Sequence, residues 1–150
     1  MADASVFHGS GMTDHEIDRF LLEQGVGILA LASDGDAYAV PLSFGYDGEA
    51  TLYLDLLRFG EESRKLDFVA DTGTACFVTY DAPTQFDWRS VVAFGTLEPV
   101  PDDETATMED VMADNAWYPS LLPQQETVTG FERYRFAIDG VTGRHGEDRQ

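Results

Sequence analysis

The sequence predicts a mainly β chain: an antiparallel barrel with peripheral helices. Three observations carry this. Apolar runs with strand character outnumber helical ones. Tight-turn dipeptides, Asp34-Gly35 and Asp47-Gly48, separate the first three runs. Helical patterns are too few to follow every strand, as a parallel doubly wound sheet would require. The order is helix, three strands, helix, two strands, helix, strand, which suits strands joined by hairpins and closed on themselves.

Residues 1–11 carry no periodic pattern and are expected to form a flexible arm. Thr13-Asp14-His15-Glu16 fits a capping box, with Met12 and Ile17 placed for a hydrophobic staple. Ile17, Phe20, Leu21 and Gln24 follow at helical spacing, and Gly25 is the expected stop. VGILALA (26–32), AYAVPLSFGY (37–46) and EATLYLDL (49–56) form a meander. Pro41 inside the middle strand cannot donate a ladder hydrogen bond, so it marks an edge, a bulge or a place where something other than backbone lies alongside. A short helix is expected over 61–70, then strands over 73–81 and 87–100. Residues 101–116 open on a proline with acids in the first turn, a helix start. Residues 117–130 read as a loop, 131–139 as the last strand, and GVTGRHGEDRQ as a partly ordered tail. The expected organisation is an arm over 1–11, one barrel domain over 12–140 and a tail over 141–150.

Composition narrows the partners. The chain has 150 residues and a formal net charge of −19, from 28 acidic residues against nine Lys and Arg. Such a surface repels phosphate backbones and anionic membranes, so neither nucleic acid nor a membrane is an expected partner. Self-repulsion strains the compact state, and salt screens it. An acid-rich, nearly lysine-free chain therefore points to a salt-loving source of haloarchaeal type. The single cysteine, Cys76, excludes an intramolecular disulfide, and its place in TACFVTY suggests a buried inert thiol. No apolar run is long enough to span a bilayer, and the N-terminus lacks the pattern of a signal peptide. A cytoplasmic location is the expectation.

Most motif signals are weak. Gly25-Val26-Gly27 precedes a strand instead of following one, so it is not a dinucleotide fingerprint. No Walker loop or nucleophile elbow is present. His8, His15 and His145 lie near the termini and, with Cys76, give no zinc spacing, so no metal is expected. Asp102, Asp103, Glu104, Glu109 and Asp110 read as a solvated helix face.

Ser63-Arg64-Lys65 stands apart, because Lys65 is the sole lysine. A surface ion pair with Glu61, four residues before it, would serve equally well with arginine. An anion clamp would use the Ser63 hydroxyl, the planar Arg64 fork and the compact Lys65 charge near a helix start. The residues alone leave both readings open.

The motifs AYAVPLSFGYDG, LYLDL, SRKLDFV and WRSVVAFGTLEPV, in this order over residues 14–100, resemble the pyridoxamine 5′-phosphate oxidase-like flavoproteins. These are FMN-binding split β-barrels, and the short nitroimidazole-reductase-like branch is the nearest in form. The resemblance implies an antiparallel split β-barrel and a homodimer with FMN between subunits. It implies that Ser63, Arg64 and Lys65 hold the flavin phosphate. It places the strand Pro41, Leu42, Ser43 and Phe44 along the ring, and Trp88, Arg89, Ser90 and Val91 approaching from the next strand. Trp88, Phe44 and Trp117 are candidates to wall the open flavin face, each with core packing as the alternative. Two departures stand out: Asp55 where relatives carry histidine, and a longer LLRFGEE stretch that makes Arg58 a further phosphate candidate. Segments that bind the pyridoxal substrate in the true oxidase are missing, so vitamin B6 oxidation is not expected.

The function implied is a flavin-dependent oxidoreductase acting on a small molecule, with a reduced nicotinamide as donor. The alternatives are a non-catalytic flavin or deazaflavin carrier and a cofactor-free dimeric interaction module. The charge argument has its own test. Transfer from molar to low salt is expected to lower the unfolding temperature, read by thermal melts across a salt series. A flat series would remove the salt-adaptation reading.

Overall fold

A computed structural model of the chain describes residues 10–59, 74–115 and 128–146. The helix expected over 61–70, with Ser63, Arg64 and Lys65, lies outside the described residues, as do His8 and Trp117. The elements are β1 (Ser10–Gly11), α1 (Asp14–Glu23), β2 (Val26–Ser33), β3 (Asp36–Tyr46), β4 (Thr51–Phe59), β5 (Ala75–Asp81) and β6 (Arg89–Pro99). A 3₁₀ turn (Asp102–Glu104), α2 (Thr105–Asn115) and β7 (Val128–His145) complete the order. Among the described residues no helix is long and apolar enough to cross a membrane.

The strands form one antiparallel sheet in the order β1-β7-β4-β3-β2-β5-β6, and β6 pairs back onto β7 to close the barrel. The first hairpin follows from its turn. Asp34 and Gly35 both have positive φ, +50° and +82°, the geometry of a two-residue turn that matches strand twist. At the second turn the Asp47 carboxylate accepts the amides of Glu49, Ala50 and Thr51, so β4 begins at Thr51.

β7 corrects the expected tail. The strand does not stop at 139; Val141–His145 pair with Arg89–Ala93 of β6, and Arg144 and His145 also pair with β1. The glycines of GVTGRHG suggested a loose end, but Gly143 is a packing residue. A Cβ there would lie 2.8 Å from both Ile17 Cγ1 and Met12 Sδ. Ser10 and Gly11, expected in the arm, are held as β1 by the same strand.

Alternation fills the barrel. Leu29 and Leu31, Leu42, Phe44 and Tyr46, Leu52 and Leu54, Phe77, Val91, Ala93 and Phe136 point inward. Phe44 and Phe77 meet edge to face with centroids 5.0 Å apart. α1 closes one end with Ile17, Phe20 and Leu21. Its capping box forms as expected: the Glu16 amide donates to Thr13 Oγ1 and the Thr13 amide to Glu16 Oε1. The helix stops at Gln24, which is extended, one residue before the expected glycine.

α2 lies on the outer face of β3 and β4. Gly45 lets it approach, since a Cβ there would sit 2.8 Å from Val111 Cγ1. Two arginines two residues apart on β7 tie it down. Arg135 pairs with Glu98 at 2.7 Å and also with Glu104; Arg133 Nη1 lies 3.3 Å from Glu109 Oε1. Glu104 and Glu109 are therefore not the purely solvated residues expected, because β7 brings cations beneath the helix.

Asp55 sits under the same helix. Its side chain is 11% exposed, and Arg133 Nε stands 3.6 Å from Oδ1, too far for a hydrogen bond. Oδ1 is buried and has no hydrogen-bond partner among the described residues. Burial raises its pKa, against the lowering effect of Arg133. A carboxyl whose folded pKa is raised contributes stability below its unfolded value and loses it as pH rises through the folded one. Asp55→Asn is therefore expected to stabilise the protein at pH 7 by about 1 kcal/mol. The gain should shrink as pH falls into the carboxylate range, as measured by urea unfolding at several pH values. A loss of stability at pH 7 would mean that pairing with Arg133 outweighs burial.

Candidate functional site

Pro41 lies opposite Ile28 across the β2–β3 hairpin. Hydrogen-bonded and non-hydrogen-bonded pairs alternate from the closing pair Ser33↔Asp36, which makes Ile28↔Pro41 a non-hydrogen-bonded pair. The Pro41 nitrogen thus faces the other edge of β3, where its missing N–H costs no ladder bond. β4 pairs with β3 only at Phe44, Gly45 and Tyr46, while its other edge pairs with β7 from Thr51 to Phe59. Among the described residues the Asp36–Ser43 stretch has no strand on that edge. The barrel is split there, and Pro41 stands at the split.

The predicted site residues divide. Leu42 and Phe44 are core side chains, and Val91 is another, so only their backbones are available to a ligand. Phe44 is not a wall for an open face, because alternation turns it inward. Ser43 is buried and Pro41 exposed. At the start of β6, Arg89 pairs with Glu23 and Asp81 and covers the Phe20 ring at 4.6 Å. Ser90 lies opposite Tyr80 and Arg144. The Trp88 carbonyl accepts the Gly146 amide at 2.8 Å. Trp88 and Arg89 line a polar pocket of about 390 Å³ with Arg19 and His145. Pro41 lines a different, larger one. Among the described residues Pro41 and Trp88 line different cavities.

That larger groove, about 510 Å³, runs past Gln24, Val26, Ile28, Pro41, Val78 and Tyr80. It arises because the β2–β5 ladder covers only Ile28↔Val78 to Ala30↔Cys76. One step further, side chains replace the ladder. Thr79 Oγ1 donates to the Val26 carbonyl at 2.9 Å. Gln24 Nε2 donates to Thr79 Oγ1 at 3.2 Å and to the Tyr80 carbonyl at 3.1 Å. Sequence reasoning missed both residues. Thr79 carried a signal, a polar side chain at an inward position of an otherwise apolar strand. Gln24 carried none beyond its place at the helix end.

The outer sheet face around the groove is apolar. Registers place Pro41, Ile28, Val78 and Val92 in one row across four strands, and Ala39, Ala30, Cys76 and Phe94 in the next. Tyr80 is 61% and Phe94 48% exposed. Cys76 belongs to this face. It was expected to be buried, but it alternates with the core residues Ala75 and Phe77 and so points outward, half-buried. Partial burial pushes its thiol pKa up, which keeps it protonated and poorly reactive. Among the described residues no cluster of His, Cys, Asp and Glu could hold a metal ion.

These features have relatives. The family model of pyridoxamine 5′-phosphate oxidase matches residues 13–145. No curated protein matches the sequence significantly. A FAD-binding protein from Mesorhizobium loti is similar in structure, with a TM-score of 0.72, 22% identity, and 93% of this chain and 97% of that one covered. A FAD-binding protein from Mycobacterium smegmatis follows at 0.69 and 15% identity, covering 93% and 100%. A candidate 5-nitroimidazole antibiotic resistance protein from Bacteroides thetaiotaomicron reaches 0.65 at 18% identity, covering 93% and 90%. With its family match spanning both the split edge of β3 and the closing strand β7, the chain belongs to the pyridoxamine 5′-phosphate oxidase family, on an antiparallel split β-barrel.

Proposed function

We propose that the protein is a flavin-dependent oxidoreductase acting on a small molecule, with FMN as its cofactor and a reduced nicotinamide as its electron donor. The observation that carries this reading is the open edge of β3 at Pro41 beside an apolar groove, in a chain of this family. The residues present fit a flavin. A planar ring needs an apolar slot with a few placed polar groups, and Gln24, Pro41 and the strand backbones supply that kind of surface. Ser63, Arg64 and Lys65, outside the described residues, would hold the phosphate by paired charge and hydrogen bonds. When bound, a flavin accepts and returns a hydride; the protein's part is to bind, orient and shield. The Pro41–Phe44 backbone would lie along the ring, and the apolar walls Val26, Ile28 and Val78 would exclude water. No side chain is required to move a proton.

A homodimer with the flavin at the subunit interface belongs to this proposal. Two observations support it. Trp88 and Arg89 line one cavity of the described residues and Pro41 another, so one ligand touching both calls for a second copy. The apolar outer face of β3, β2, β5 and β6 also needs cover. A carrier that holds flavin without turnover is the second reading, favoured by the similar structures that are named only as FAD-binding proteins.

The decisive observation is a visible spectrum of protein purified in high salt, with mass analysis of what denaturation releases. Flavin absorbance is expected, and the released mass distinguishes FMN from FAD and from a deazaflavin. A colourless protein that also refuses added flavin would overturn the proposal. Replacing Arg64 and Lys65 together by Gln is expected to weaken FMN binding at least about tenfold without changing the melting temperature of the flavin-free protein. Oxidation of NADH or NADPH by the loaded protein separates the enzyme from the carrier. Val78→Glu, on the outer face, is expected to yield monomers by sedimentation and to lose flavin with the interface.

A further inference from the structure

The polar atoms at the end of the groove have a fixed sense. The Tyr80 carbonyl can only accept, so the Gln24 atom beside it must be the amide nitrogen. The Thr79 hydroxyl gives its proton to the Val26 carbonyl, so its oxygen is left to accept from that same nitrogen. Both hydrogens of the Gln24 amide are thereby committed. Gln24 Oε1 has no hydrogen-bond partner among the described residues, and its side chain lines the groove. It is an acceptor whose orientation is set by three groups behind it.

The flanking backbone adds to this. Beyond Ile28↔Val78 the two strands part; the next pair in register would be Gly27 and Thr79, and the next hydrogen-bonding pair Val26 and Tyr80. Ladder alternation turns the N–H and C=O of both Val26 and Tyr80 toward the gap, and both carbonyls have taken side-chain donors. The end of the groove therefore offers an acceptor, Gln24 Oε1, between two strand edges that carry N–H groups. A cyclic imide presents the complement: one N–H between two carbonyls.

We infer that Gln24 reads the imide edge of a planar heterocycle in the groove, accepting a hydrogen bond from its ring N–H. This rests on the flavin reading, because the flavin ring carries such an edge, and so does a deazaflavin. Gln24 touches the ligand; Thr79 acts through Gln24 as a positioning residue. The arrangement would reject a ring alkylated at that nitrogen, because the acceptor, covered by the bound ring, would find no donor and meet a methyl group instead.

The test compares FMN with 3-methyl-FMN, in which the imide nitrogen is methylated, by fluorescence titration of the flavin-stripped full chain. The wild type is expected to bind FMN at least about tenfold more tightly. Gln24→Met, which keeps length but offers no amide, should bind both alike. Thr79→Val should also lose discrimination while Thr79→Ser keeps it, with melting curves run on every variant. A wild type that binds both ligands equally, or a folded Gln24→Met that still discriminates, would overturn the inference and leave the flavin reading intact. A wild type that binds neither ligand would overturn the flavin reading, and this inference with it.

Discussion

β7 carries two ladders at once, and the rest of the structure depends on that. One edge of Val128–Ala137 pairs with β4, and one edge of Tyr134–His145 pairs with β6. A strand shared this way closes a sheet that would otherwise end in two exposed edges. The barrel opens instead on the β3 side of β4. β4 pairs with β7 on one edge over its whole length but meets β3 on the other only from Phe44 to Tyr46, so among the described residues the Asp36–Ser43 edge has no strand beside it. Pro41 belongs there because that edge has no amide ladder for a proline to break.

The second opening, between β2 and β5, is handled differently. Thr79 and Gln24 bridge it with side chains, so the carbonyls of Val26 and Tyr80 stay satisfied while the strands separate. A groove can therefore persist at the surface without leaving those acceptors bare. The apolar rows that flank it would be unusual on a solvated face of an antiparallel sheet, where alternation normally puts polar residues outward. Ile28, Val78, Val92 and Phe94 make that face continuous with the groove, so binding and association would use one surface.

The scarce cations are concentrated. In a chain with 28 acids and nine basic residues, Arg133 and Arg135 gather Asp55, Glu109, Glu98 and Glu104 beneath α2. Pairs at partly exposed positions are individually weak. Their effect here is to place the helix on β3 and β4, where Gly45 admits it closely. Asp55 is the exception, since burial leaves one of its oxygens without a donor.

Much of this was legible in the sequence. The alternation of VGILALA and TACFVTY, the Asp-Gly turns and the Thr13–Glu16 capping box are local features, set by neighbours within a few residues. They determine the strands, the first helix and the hairpins. The excess of acid over base is likewise written in composition alone. Long-range pairing is not. Gly143 looked like part of a tail because its role is to admit Met12 and Ile17, more than 120 residues away in sequence. Gln24 and Thr79 were invisible as a pair for the same reason: the helix end and the strand that carry them meet only in the folded barrel. Local chemistry determined which residues form which elements. Only the tertiary structure decided which edge was left open, and so which polar atoms face the groove.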